Sequence, residues 1–140
     1  MPTKITISAI VNAPIETVWE CWTNTEHIKN WNFASDDWHC PFAENDLRIG
    51  GKNHTRMEAK DGSFGFDFIL IYDQIIQHKE ISYMMEDGRK STTLFESNGN
   101  VTNVTSTFDA ENENPPEVQQ FGWQAILNNF KKHAESIKKC

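Results

Sequence analysis

Residues 116–138 read PEVQQFGWQAILNNFKKHAESIK, and the placing of polar side chains along this stretch decides the fold. At 100° per residue, Glu117, Gln120, Gln124, Asn128, Lys131, Glu135 and Lys138 fall on one stripe of a helix. Val118, Phe121, Trp123, Ala125, Ile126, Leu127, Phe130, Ala134 and Ile137 spread over the rest of its surface. That apolar arc is wider than a helix lying flat on a sheet needs. The spacing therefore predicts a long C-terminal helix embraced on more than one side. Just before it, the polar segment AENENPP (110–116) stops any continuing strand, because Pro115 and Pro116 cannot donate to a ladder.

The embracing partner is written upstream. Asp61-Gly62, Asp87-Gly88 and Asn98-Gly99 are dipeptides suited to tight turns with positive φ, each lying between strand-like runs. The runs are 52–60, 63–76, 80–86, 90–97 and 100–109, with a short strand near 45–49 before Gly50-Gly51. In 63–76, alternation puts Phe64, Phe66, Phe68, Leu70 and Tyr72 on one face. Residues 4–11 (KITISAIV) alternate in the same way, with Ile5, Ile7, Ala9 and Val11 together. Pro14 then fits a first helical position and Glu16 complements the dipole of a helix running to about Thr23. Ile15, Val18, Trp19 and Trp22 form its apolar stripe. Thr25 can cap a second short helix from Glu26 to about Trp31. Residues 32–43 lack periodicity and read as a loop carrying three aromatic rings.

This order gives an α+β fold: a curved antiparallel sheet of about seven strands around the C-terminal helix, with two short helices after the first strand. No linker or repeat interrupts residues 1–140, so one domain is expected. Side chains from a single helix cannot fill a strongly curved sheet at every point, and a residual cavity of small-molecule size is the geometric consequence.

Composition narrows the partners. The 140 residues suffice to bury roughly two-thirds of the unfolded surface without disulfide or metal. Five Trp and nine Phe promise a core of bulky rings. A net charge of −7 opposes nucleic acid and anionic membrane surfaces. The dense cations, Lys131, Lys132, Lys138 and Lys139, sit where they complement the dipole of the last helix. Cys21, Cys40 and Cys140 are odd in number and lack C-x-x-C spacing. There is no export signal and no run near the ~20 apolar residues of a membrane span. A cytoplasmic protein with reduced thiols is the expectation, and the sequons at Asn53, Asn100 and Asn103 then carry no glycan.

In their order along the chain, Ala13-Pro14, Val18-Trp19, Trp22-Thr23, Leu47-Arg48-Ile49-Gly50-Gly51, Asp61-Gly62, Thr102 to Phe108, Gly122-Trp123 and Ile126-Leu127 make a fairly specific set. This set resembles the START-like (SRPBCC) helix-grip superfamily, which includes Bet v-like proteins, and within it the family named for the activator of Hsp-90 ATPase. The resemblance covers nearly the whole chain. It implies a cavity between sheet and final helix that takes an apolar or amphipathic small molecule, and it implies no shared catalytic residues. Family members often carry a second Trp where Asn32 follows Trp31, so the pocket-mouth loop is expected to differ. No counterpart is expected in residues 1–140 for the separate N-terminal domain through which the eukaryotic activator grips its chaperone, so the resemblance does not carry over a co-chaperone role.

Candidate site residues follow. Trp31, Phe33, Trp38, Phe66, Phe68, Phe121, Gly122, Ile126, Asn129 and His133 are the expected cavity wall, with ligand entry between the 32–43 loop and the final helix. Gly122 sits mid-helix at a cost of about 1 kcal/mol relative to Ala, so it either packs closely on a strand or leaves room for ligand. Asn129 and His133, four apart and off the polar stripe, point towards the sheet and need polar partners there. His54, Arg56 and Glu58 alternate onto one strand face opposite Met57 and Ala59. They form either a charged outer ladder or, on a concave face, an acid–base or carboxylate-binding set. His27, His39, His54, His78 and His133 lack metal-ligand spacing, and Asp36, Asp37 and His39 resemble a catalytic cluster only loosely. Cys21 reads as a small core residue. No metal or cofactor is expected.

Three functions remain open at this point. The first is a binding module for an apolar or aromatic ligand. The second is a cyclase- or hydrolase-like enzyme using His133, Arg56 or Glu58 for proton transfer. The third is a chaperone-linked or other interaction module with a large apolar patch outside the cavity.

Overall fold

Seven antiparallel strands in the order β1-β7-β6-β5-β4-β3-β2 form a curled half-barrel around the C-terminal helix. The computed structural model describes residues 3–111 and 114–137. The strands are β1 (Lys4–Val11), β2 (Trp38–Asn45), β3 (Lys52–Ala59), β4 (Gly65–Ile76), β5 (Glu80–Met85), β6 (Lys90–Asn98) and β7 (Val101–Asp109). The helices are α1 (Ile15–Thr23), α2 (Thr25–Ile28) and α3 (Pro116–Ser136). The expectations for Lys138, Lys139 and Cys140 lie outside the described residues. The three expected hairpin turns are present, with Gly62, Gly88 and Gly99 at φ of 79°, 90° and 67°, a region closed to most side chains.

Two sequence expectations are corrected. The strand expected near 45–49 is instead β2, inside the stretch read as a loop. Its alternation is broken by a bulge between His39 and Phe42, and Pro41 is tolerated there because β2 is an edge strand. The second helix begins at Thr25 and is capped by Asn24, whose Oδ1 accepts from Glu26 N at 2.9 Å. The polar stripe of α3 does not simply face water. Gln120 and Gln124 donate to the carbonyls of Thr6 and Ser8 at 3.4 and 3.0 Å, and Glu135 accepts from Asn12 N at 2.8 Å. These side chains cover the free edge of β1, which would otherwise offer unpaired backbone groups to another chain.

The apolar arc of α3 is buried along only part of its length. Leu127, Phe130 and Ala134 are buried, with Trp123 and Ile126 packed against the core, while Val118 and Phe121 are 58% and 72% exposed. Trp123 stacks on Phe108 of β7 with centroids 3.9 Å apart, and Phe130 meets the rings of Trp22 and Trp31 edge-on at 4.8 and 4.9 Å. Each such pair adds about 0.5–1.5 kcal/mol beyond its area burial. Asp109 stitches three strands, accepting from Lys4 Nζ at 2.5 Å and from Lys90 N at 3.0 Å. Together these contacts fix α3 across the concave face and set the dimensions of the space between them.

Candidate functional site

Helical spacing brings Trp123, Ile126 and Leu127 to the side of α3 that looks onto the sheet. Opposite them, strand alternation presents Phe66, Phe68, Leu70 and Tyr72 from β4, and Asn53, Thr55 and Met57 from β3. Trp22 and Trp31, at either end of the α1–α2 corner, close one side. The space between them measures about 330 Å³, at the lower end of the usual range for small-molecule sites.

Its walls are mainly apolar, but a polar line crosses the floor. Tyr72 Oη donates to Asn45 Oδ1 at 2.7 Å and accepts from Asn53 Nδ2 at 3.2 Å. Burial pushes the Tyr72 phenol up to about 12, so it is a neutral hydrogen-bonding group. Thr93 and Ser106 share a hydrogen bond of 2.7 Å between β6 and β7. The Thr55 hydroxyl is different: its side chain is 1% exposed and Oγ1 has no partner. Arg89 and Glu111 bring one charge of each sign to the lining. Arg89 is held by Asp87 at 2.7 Å.

Of the expected wall residues, Trp31, Phe66, Phe68 and Ile126 line this space. The other six stand elsewhere. Phe121 points to solvent and is 72% exposed. A Cβ at Gly122 would meet nothing within 4 Å, so close packing on a strand does not explain this glycine, and it is not among the residues lining the space. Asn129 Nδ2 donates to the Phe33 carbonyl at 2.5 Å, tying the 32–37 segment to the helix rather than reaching inwards. Trp38 sits on β2 and packs edge-on to Phe64 and tilted against Phe66, with centroids at 5.8 and 6.0 Å. His133 Nε2 lies 2.8 Å from His27 Nδ1.

Asn53 and Thr55 were missed because the register of β3 was open in the sequence. They occupy the face of Met57, so His54, Arg56 and Glu58 face outwards. There they form an ionic ladder with Asp67: His54 Nε2–Asp67 at 3.1 Å, Arg56 Nη1–Asp67 at 3.2 Å and Arg56 Nε–Glu58 at 2.9 Å. None of the three groups considered for proton transfer faces the cavity.

Metal-ligand spacing is absent along the sequence, but three donor groups meet in space. Cys21, His27 and His133 bring their donor atoms within 4.8 Å of one another, although His27 and His133 are 106 residues apart. Burial, with the Glu20 charge adding to it, pushes the Cys21 thiol up to about 11. Burial, and then the neighbouring His27, holds His133 below its ordinary value.

A curled antiparallel sheet closed over one long helix defines a helix-grip protein. The family model of the activator of Hsp90 ATPase homolog 1-like proteins matches residues 12–135, and the chain belongs to that family. It is similar to the solution structure of an AHSA1-like protein from Aeromonas hydrophila, with 42% identity and a TM-score of 0.90 over 96% of this chain and 93% of that one. A protein from Cytophaga hutchinsonii is 49% identical, with a TM-score of 0.81 over 94% and 92% of the two chains. A Chromobacterium violaceum protein shares the fold alone, at 20% identity and a TM-score of 0.85 over 98% and 100%. No curated protein matches the chain. Among the described residues no helix is long and apolar enough to cross a membrane.

Proposed function

We propose that this chain is a binding protein for a small molecule with an apolar or aromatic body and at least one hydrogen-bonding atom, held between the sheet and α3. One observation carries the reading: a lone buried hydroxyl, Thr55, lies in the lining of a space whose other walls are mostly aromatic and aliphatic. A buried donor or acceptor without a partner costs about 1–3 kcal/mol, and a ligand atom placed beside it recovers that cost on binding. Family membership supports the same reading. The outward placement of Arg56 and Glu58 and the pairing of His133 with His27 favour binding over catalysis. The net charge of −7 favours a neutral or weakly polar ligand over nucleic acid, and a cytoplasmic location fits the free thiols Cys21 and Cys40.

Three tryptophans, Trp22, Trp31 and Trp123, line the space and report on its occupancy. Titrating the protein with fatty acids of increasing length and with flavonoid-like aromatics should give a saturable change in tryptophan emission for at least one class. Native mass spectrometry should show one ligand per chain. A flat emission response across the whole panel, with no retained adduct, would remove this reading.

A further inference from the structure

The cluster behind the aromatic wall of the cavity has its own chemistry. Cys21 lies in α1, His27 in α2 and His133 in the last turn of α3. His27 Nδ1 is 2.8 Å from His133 Nε2 and 3.9 Å from Cys21 Sγ. A thiolate and two imidazoles are the ligand types that zinc prefers, at about 2.3 Å for sulfur and 2.0–2.1 Å for nitrogen. Tetrahedral bonding at those lengths separates two nitrogens by about 3.3 Å and a sulfur from a nitrogen by about 3.6 Å. These two separations come within roughly half an ångström of those values, and all three donor atoms lie within 4.8 Å of one another, so drawing Cys21 and His133 onto one ion takes side-chain rotation.

We propose that Cys21, His27 and His133 form a binding site for a zinc-class divalent cation, with a fourth position open to water. Cys21 is buried, while the two histidines are half-buried, so the cation and its water have access from their side. Without metal, one proton bridges His27 Nδ1 and His133 Nε2. On metal binding, each imidazole presents that nitrogen as a lone pair and carries its proton on the opposite ring nitrogen. The neutral pair keeps its two protons in this way, and the Cys21 thiol proton leaves to solvent. No electron is transferred.

The consequence is mechanical. Trp22 follows Cys21, Ile28 follows His27, and Phe130 precedes His133 by about one turn. Trp22 and Ile28 line the cavity, and Phe130 packs on Trp22. A cation would therefore clasp the α1–α2 corner to the far half of α3 and brace the aromatic back wall. The site stands on its own donor geometry and does not depend on what the cavity holds.

The test uses the full chain carrying Cys40→Ala and Cys140→Ala, so that Cys21 is the remaining thiol. After chelator treatment it is titrated with Zn²⁺ by calorimetry and with Co²⁺ by absorption. The expected result is one ion per chain, a thiolate-to-cobalt charge-transfer band in the near ultraviolet, and a rise in Tm on loading. Cys21→Ser should abolish the band. His27→Gln and His133→Gln should each weaken Zn²⁺ binding by more than the roughly 10–100-fold that loss of an outer-shell partner costs. The half-buried His27 variant keeps the test decisive should the buried Cys21 variant fold poorly. Cobalt binding without the charge-transfer band, or zinc affinity unchanged by both histidine variants, overturns the proposal and leaves a hydrogen-bonded histidine pair.

Discussion

Thr55→Val should stabilise the ligand-free protein, although it removes a polar atom from a buried strand. The Thr55 hydroxyl is 1% exposed and unpartnered, so folding desolvates it without compensation. That penalty is about 1–3 kcal/mol, and replacing the hydroxyl by a methyl of similar size relieves most of it. We expect a gain of about 1–2 kcal/mol, which at this chain length corresponds to a Tm increase of roughly 4–8 °C. Thr93→Val is the matched control. Its hydroxyl is equally buried but bonds Ser106 at 2.7 Å, so the substitution strands the serine and should lower Tm by a similar amount. Adding Ser106→Ala to Thr93→Val should return stability close to that of the parent. Thermal and urea unfolding of the three variants and the parent read the signs directly. If Thr55→Val lowers stability as much as Thr93→Val does, the Thr55 hydroxyl already has a partner such as an ordered water. The role of an unpaired anchor would then fail. For a ligand that uses this hydroxyl, Thr55→Val should weaken affinity by about 3–10-fold, the worth of one ordinary hydrogen bond.

Phe130→Ala should cost about 3–5 kcal/mol, because the ring is fully buried between Trp22 and Trp31, and the loss should appear as a steep fall in Tm. Gly122→Ala should instead add about 1 kcal/mol in urea unfolding, since the helix gains a better former and the new Cβ meets nothing within 4 Å. Lys4 and the Lys90 backbone N–H hold the Asp109 carboxyl below its ordinary value of 3.8. Its contribution is therefore present above that value and lost as the pH falls below it, so acid unfolding of Asp109→Asn should show a shallower dependence on pH below about 4 than the parent does.

The fold was legible because its signals are local. Asp61-Gly62, Asp87-Gly88 and Asn98-Gly99 fix the turns by backbone chemistry, and the alternation in 4–11 and 63–76 fixes which faces are apolar. The lining of the proposed site was legible only in part. Trp31, Phe66, Phe68 and Ile126 could be placed from ring size and periodicity, whereas Asn53 and Thr55 depend on a register that a one-residue slip reverses. In β2 the bulge beside Pro41 erased the alternation that would have marked a strand. The partners of Gln120 and Gln124 were not legible, because a helical wheel carries no information about the open edge of a strand beside it. The meeting of Cys21, His27 and His133 depends on how α3 crosses α1 and α2, a long-range fact that no local spacing encodes.

Whether the space between sheet and α3 holds a ligand is tested most directly by methyl-resolved NMR of the protein labelled at Ile, Leu and Met. With the best binder from the fatty-acid and aromatic panel, saturable shifts are expected at Met57, Leu70, Ile81 and Ile126, which line the space. The exposed Ile10 and Ile49 should stay unmoved. Shifts confined to exposed methyls, or spread evenly over both sets, would contradict the account and place any binding on the outer surface.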